Sequence, residues 1–250
     1  MAEEHKYASE VIDLPSDGKL YPENSPLREG KLELKYMTAK EEDILTSQNL
    51  IKKGMVIEKL LDSLILTKGV TSNDLVLGDK NAVMVAARIL AYGPDYECEV
   101  TNPSTGEVSK QVINLADCPF KKPSDDVKEN NFEFELPISK KKVTFKVLTS
   151  KDEKNIEKEL QQIAKLGSDV QPELTTRLRY TLTSVEGDTD IGKINTFVQS
   201  MLSRDSLALR AEISKVSPDI ELEQEIELGG ESVKVAIPMT VGFFWPDSTI

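Results

Sequence analysis

The order of sequence patterns predicts an α+β protein of two tandem similar modules, each a strand, about three helices and a β-hairpin. Three observations carry this expectation. The run KLELKYM (Lys31 to Met37) alternates apolar and polar residues and leads directly into TAKE, a helix start. The same logic returns in KKVTFKVLTSKDE from Lys141, and each half ends in paired alternating runs around a glycine-containing turn. A chain of 250 residues is long enough for one large domain or two small ones, each with its own core.

Residues 1–29 read as an N-terminal arm and a proline-rich loop. Pro15, Gly18, Pro22 and Pro26 exclude a helix interior there. The first module is expected over 30–120. In its strand Leu32, Leu34 and Tyr36 share one face, with Glu33 and Lys35 on the other. Thr38 with Glu41 makes a capping box, opening a helix that extends to Lys53–Gly54. The segment MVIEKLLDSLIL is apolar around most of its circumference and predicts a central helix. KNAVMVAARILAYG predicts a third, stopped by Gly93 and Pro94. A hairpin with a long turn at Asn102–Gly106 follows.

Residues 121–139 read as a charged linker and lead-in, and 140–250 as the second module. There Val143, Phe145 and Val147 alternate, and a capping box is expected over Ser150–Glu153. Placing Thr38 on Thr149 also puts Lys35 on Lys146 and Met37 on Leu148. A helix-like run (PELTTRLRYTLTSV), a further helical run (INTFVQSMLSRDSLALRAEI) and a strand pair around Gly229–Gly230 complete it, with Gly230–Glu231 falling where Gly106–Glu107 sits. Internal duplication is one explanation; two α+β domains sharing an element order by chance is the other. Duplication implies pseudo-twofold symmetry, with two similar surfaces offered to a repeating partner.

Composition excludes several function classes. With 31 basic against 43 acidic residues the net charge is −12, which opposes binding to nucleic acid or an anionic membrane. No apolar run approaches a membrane span, and the acidic start lacks a signal-like apolar stretch, so folding in a cytoplasm is expected. Cys98 and Cys118 read as small buried hydrophobes without metal-ligand spacing, and no cofactor or small-molecule substrate is expected. The only histidine is His5, in the arm, so no Ser-His or Cys-His pair can stand on a rigid element.

Other chemistry-like patterns fail on their details. GDTDIGKI (Gly187 to Ile194) fits G-x-x-x-x-G-K, but Ile194 replaces the Mg²⁺-binding hydroxyl and Asp188 and Asp190 would repel phosphate. As a calcium loop it has Lys193 where glycine is needed and Gln199 where glutamate is needed. Carboxylate pairs such as Asp152–Glu153 lie in first helical turns, where the macrodipole favours them. Lys140–Lys142 suits a strand-edge gatekeeper or a solvated face. What remains is interaction surface. The adjacent Phe243, Phe244 and Trp245 are candidate anchors, the alternative being that two pack inward and one caps the domain edge. The acidic arm, 1–14, is either disordered or adds a strand to a neighbour's sheet.

The run LPSDGKLYP (Leu14 to Pro22), followed by GKLELKYMTAKEEDIL, resembles the start of the T4-type bacteriophage baseplate hub subunit family. Members begin with an L-P-S-x-G-x-x-Y-P loop, a strand and a T-x-x-E-E helix start. FFWP (Phe243 to Pro246) is similar to their ending. The resemblance covers residues 12–66 and the C-terminus, and is architectural between. It implies a structural or assembly component of the tail baseplate hub: a non-catalytic protein–protein scaffold that assembles in the host cytoplasm. Its partners would be other hub and tail-tube proteins, with self-association open. Tyr21 and Pro22 join Phe243, Phe244 and Trp245 as interface candidates. The competing readings are a transient hub assembly chaperone and a nucleotide hydrolase using Gly187–Lys193.

Overall fold

In the computed structural model, which describes residues 8–101, 106, 108–166, 171–228, 231–237, 239 and 241–244, the chain opens with β1 (Ser9–Asp13). β1 pairs antiparallel with β2 (Lys31–Lys35), Ile12 opposite Leu32. Residues 9–13 of the expected arm thus complete the chain's own sheet instead of reaching a neighbour's; His5 lies outside the described residues. β2 buries Leu32 and Leu34, as its alternation requires.

Thr38 caps α1 (Ala39–Thr46), with its N–H and Oγ1 both donating to Glu41. The helix is interrupted at Ser47, whose backbone is extended, before the short α2 (Gln48–Lys52). α3 (Val56–Leu64) buries Val56, Leu60, Leu61 and Leu64, and the residue after it, Ile65, bridges back to Leu34. α4 (Leu77–Tyr92) lies centrally and leads into the hairpin β3 (Asp95–Thr101) and β4 (Val108–Asn114). The expected turn at Asn102–Gly106 falls largely outside the described residues.

The charged stretch 121–131 is fastened along the opening loop. Arg28 donates to the Lys128 carbonyl at 2.9 Å, Lys122 pairs with Asp17 at 2.9 Å, and Lys19 with Asp125 at 3.1 Å. At its start β5 (Phe120–Lys121) pairs with β9 (Asp219–Ile220). The second sheet has the order β6 (Phe132–Glu135), β7 (Lys142–Phe145), β8 (Leu182–Val185), all antiparallel. Because β7 is its central strand, the Lys140–Lys142 run does not guard an edge; Lys140 turns the chain and Lys141 lies over the Phe197 ring at 4.9 Å.

α5 (Ser150–Lys165) begins one residue earlier than the Ser150–Glu153 box implies. Thr149 is the cap and Asp152 its partner, because Asp152 also reaches the Lys146 ammonium at 2.9 Å. The run expected to be one helix divides into α6 (Glu173–Thr181) and β8. The next divides into α7 (Ile191–Gln199) and α8 (Ser203–Val216). The hairpin β10 (Glu223–Leu228) and β11 (Glu231–Ala236) follows, with Gly229–Gly230 outside the described residues.

Two hydrophobic clusters result. The smaller centres on Leu136, Val143, Phe145, Leu178 and Leu209. The larger joins Leu14, Leu34, Leu60, Val83 and Leu115 with Ile220, Ile237, Phe243 and Phe244. Ile220, Ile237, Phe243 and Phe244, late in the sequence, therefore pack with the first half. The halves touch closely: Gly78 of α4 sits so near the Pro218 backbone that a Cβ there would lie 1.8 Å from its carbonyl oxygen.

Candidate functional site

The loop from Leu14 to Gly30 is built around one carboxylate. Asp79, in the first turn of α4, is fully buried. It accepts from the Ser16 amide (2.9 Å), the Ser16 hydroxyl (2.6 Å) and the Tyr21 hydroxyl (2.7 Å). The Tyr21 oxygen in turn accepts from the Val76 amide at 3.0 Å. Gly18 has φ +74° and a Cβ there would strike the Arg28 carbonyl, so the motif glycine is required twice over. Arg28 closes the ring by donating to the carbonyls of Lys19 and Tyr21. Leu14, Ser16, Gly18 and Tyr21 are thus spent on pinning this loop to α4.

Electrostatics agree with a clasp. Burial pushes the Asp79 carboxyl up, with the Ser16 and Tyr21 hydrogen bonds opposing it. Burial, reinforced by the Asp79 charge, pushes the Tyr21 phenol well above its ordinary range. The phenol therefore stays a donor, and neither group faces solvent.

The second half carries a matching arrangement. Leu136 and Pro137 follow β6 as Leu14 and Pro15 follow β1. The Leu14 amide donates to Gly30 at 2.8 Å, the Leu136 amide to Lys141 at 3.0 Å, each closing its loop. Asp205, third residue of α8 as Asp79 is of α4, accepts from the Ile138 and Ser139 amides at 2.7 and 3.0 Å. Burial opposes that charge but the amides win, holding its carboxyl below the usual range. Lys35 pairs with Glu41 at 2.7 Å, and Lys146 with Asp152 at 2.9 Å. Leu34 bridges to Ile65 after α3, and Phe145 pairs with Leu182 after α6. Sequence reading missed both buried aspartates; the signal was an acid at the third position of a helix whose N-cap is apolar, Val76 or Leu202.

The expected interface residues divide. Tyr21 is in the clasp and Pro22 is exposed beside it. Phe243 and Phe244 are buried, edge to face at 5.4 Å, with Phe243 5.3 Å from Tyr96 of β3. They anchor the C-terminal segment to this chain's own first hairpin. Trp245 lies outside the described residues.

Chemistry-bearing side chains are similarly engaged. Lys193 pairs with Asp188, and Asp190 caps α7 by accepting from the Lys193 amide at 2.8 Å. The loop's own carboxylate therefore occupies the place a phosphate would need. A cleft of about 550 Å³ between the halves is lined by charge that is mostly paired: Lys154 with Glu58 at 2.6 Å, and Arg177 with Glu153. Cys98 and Cys118 are free thiols, and burial pushes both up, away from thiolate chemistry. Among the described residues no cluster of His, Cys, Asp or Glu could hold a metal, and no helix is long and apolar enough to cross a membrane.

The two hairpins present open backbone edges. β3–β4 and β10–β11 are separate two-stranded sheets, so each strand has an unpaired edge. Their outer faces correspond: Glu99 opposes Lys110, and Glu225 opposes Lys234. Val108 and Val112 add exposed apolar surface to the first.

A family model described as T4 bacteriophage base plate protein matches residues 6–245. No curated protein and no solved structure matches the chain. With nearly its whole length covered, the chain belongs to the T4 bacteriophage base plate protein family.

Proposed function

We propose that this baseplate protein acts at the tail hub as a non-catalytic scaffold made of two duplicated modules. The observation that carries the reading is the clasp. The motif that marks the family resemblance is consumed in fixing one loop to α4, and a second buried aspartate repeats the device on α8. Residues that would be available for catalysis in an enzyme are here committed to rigidity. Duplication explains why strand, capping box, ion pair and buried aspartate recur in the same order. Chance similarity of two α+β domains does not call for matching hydrogen bonds.

In mechanism, the clasped modules hold two hairpins with acidic outer faces at fixed spacing. Hub and tail-tube proteins pair with the hairpin edges by strand addition, so register is set by geometry. Pro22 and Trp245 remain contact candidates. Assembly takes place in the host cytoplasm and the protein stays in the virion baseplate. Quantitative mass spectrometry of purified tails tests this: a fixed whole-number copy per tail is expected. Absence from finished tails would overturn it in favour of a departing chaperone.

A further inference from the structure

The two modules meet through unlike faces. On the first, the face is the approach to α4. The Leu75 carbonyl accepts from the Ser150 amide at 2.8 Å and the Leu77 amide donates to the Leu148 carbonyl at 3.3 Å, with Val76 bridged to Thr149. On the second it is the junction between β7 and α5. By the correspondence above, Leu75–Leu77 match Met201–Ser203, and Leu148–Ser150 match Met37–Ala39. A pseudo-twofold would bridge Leu202 to Thr38 as well. Among the described residues no such bridge exists. The joint is heterologous, so each chain uses one copy of each face internally and leaves the other copy open.

The open faces are shaped like the used ones. Val76 and Leu202, the residues capping α4 and α8, share one backbone geometry: φ −64°, ψ 154° and φ −65°, ψ 140°. Val76 is fully buried, in a cluster that includes Val147 of the second module, whereas Leu202 is 50% exposed and Leu207, five residues on, is 61% exposed. An apolar residue is a poor N-cap. At α4 the burial of Val76 accounts for it; at α8 nothing among the described residues does. Thr38 and Ala39 are exposed too, while their counterparts Thr149 and Ser150 are half-buried and buried. The exposed Lys40, Glu42 and Asp43 that follow Ala39 are net negative, opposite in sign to exposed Arg204 beside Ser203.

We propose that a second copy of this chain docks on these open faces, Met201–Ser203 of one copy against Met37–Ala39 of the next. The docked pair repeats the internal joint: Ser203 N–H to the Met37 carbonyl, Ala39 N–H to the Met201 carbonyl, and Leu202 covered. The occupant is a second copy because the surface that fits this face inside the chain is a module's strand-to-helix junction, and every copy carries a free one. A heterologous contact closes into a ring or continues as a filament. The inference rests on the equivalence of the two modules, not on the place of the protein in the tail.

The test uses the full chain and sedimentation velocity over a concentration series. Wild type is expected to associate. Leu202→Asp removes the apolar contact yet supplies a better helix cap, so the fold is not weakened. Ala39→Pro removes the donor on the other face at the first helical position, where proline is tolerated. Each variant alone should be monomeric with an undiminished melting temperature. An equimolar mixture should give dimers, since each partner retains the face the other lacks. Three results would overturn the proposal: a monomeric wild type at every concentration, variants that associate like wild type, or a mixture that stays monomeric. Were wild type monomeric and Leu202→Asp defective only in capturing another tail protein, the face would belong to that partner instead.

Discussion

Replacing Lys35 by methionine, and separately Lys146 by methionine, tests whether the paired strand-to-helix junctions differ in energy as their burial requires. The Lys35 ammonium lies 2.7 Å from Glu41, with side chains 6% and 0% exposed. Glu41 also accepts from Ser63 at 2.6 Å and from Thr38, so its charge stays buried when the lysine is gone. Breaking a buried pair costs about 3–5 kcal/mol. The three remaining donors place Lys35→Met near about 3 kcal/mol. The Lys146–Asp152 pair is 32% and 15% exposed, so solvent screening limits Lys146→Met to about 1 kcal/mol. For a chain of this size each kcal/mol lowers the melting temperature by about 2–4 °C. Urea unfolding followed by circular dichroism should then show a loss for Lys35→Met about three times that for Lys146→Met. Equal losses, or a tolerated Lys35→Met, would refute the reasoning.

Further consequences concern pH, the module joint and the clasp. Burial pushes Glu41 up, but the bonds from Lys35, Ser63 and Thr38 more than offset it and bring the carboxyl to about 2, from 4.5. The stability this gives is fully present above pH 4.5 and is lost as pH falls through about 2. The gap between wild type and Lys35→Met should therefore narrow on acidification over that window; a constant gap would contradict it. Gly78→Ala should destabilise by about 1–3 kcal/mol or more, because the new methyl meets the Pro218 backbone. Helix propensity alone favours alanine by about 1 kcal/mol, so a stabilised variant in urea unfolding would refute the close approach. Tyr21→Phe leaves the Val76 amide without a partner and removes one of the two donors to an Asp79 oxygen that keeps the Ser16 hydroxyl, a cost of about 1–3 kcal/mol. Limited trypsin digestion should then cut at Lys19 or Arg28 sooner than in wild type, and unchanged digestion would count against the clasp.

Local patterns were legible where one side chain's role is set by its neighbours in sequence. The alternation of Leu32 and Leu34 and the Thr38–Glu41 box each predicted what formed, whereas α3, expected to be central and apolar most of the way round, buries one face only, Val56, Leu60, Leu61 and Leu64. Strands whose partners lie far away were harder to read. β1 looked like an arm because Val11 is exposed and pairing with β2 supplies most of its reason to be extended. β8 was hidden in a helical run because Leu182 to Val185 become a strand only beside β7. Tyr21 stood as an interface candidate, and Phe243 and Phe244 as either anchors or an inward-packing pair, because sequence shows aromatic content but not which partner receives it. In the fold Tyr21 meets Asp79 and Phe243 meets the Tyr96 ring, both long-range contacts. The repeated Leu-Pro after β1 and β6 was present in the sequence, and its meaning lies in two aspartates far along the chain.

The most direct measurement is cryo-electron microscopy of the purified tail at side-chain resolution. The account predicts density for this chain at the centre of the baseplate, its hairpin edges paired with hub or tube proteins and the Asp79 and Asp205 clasps intact. A well-resolved hub without this chain would contradict it.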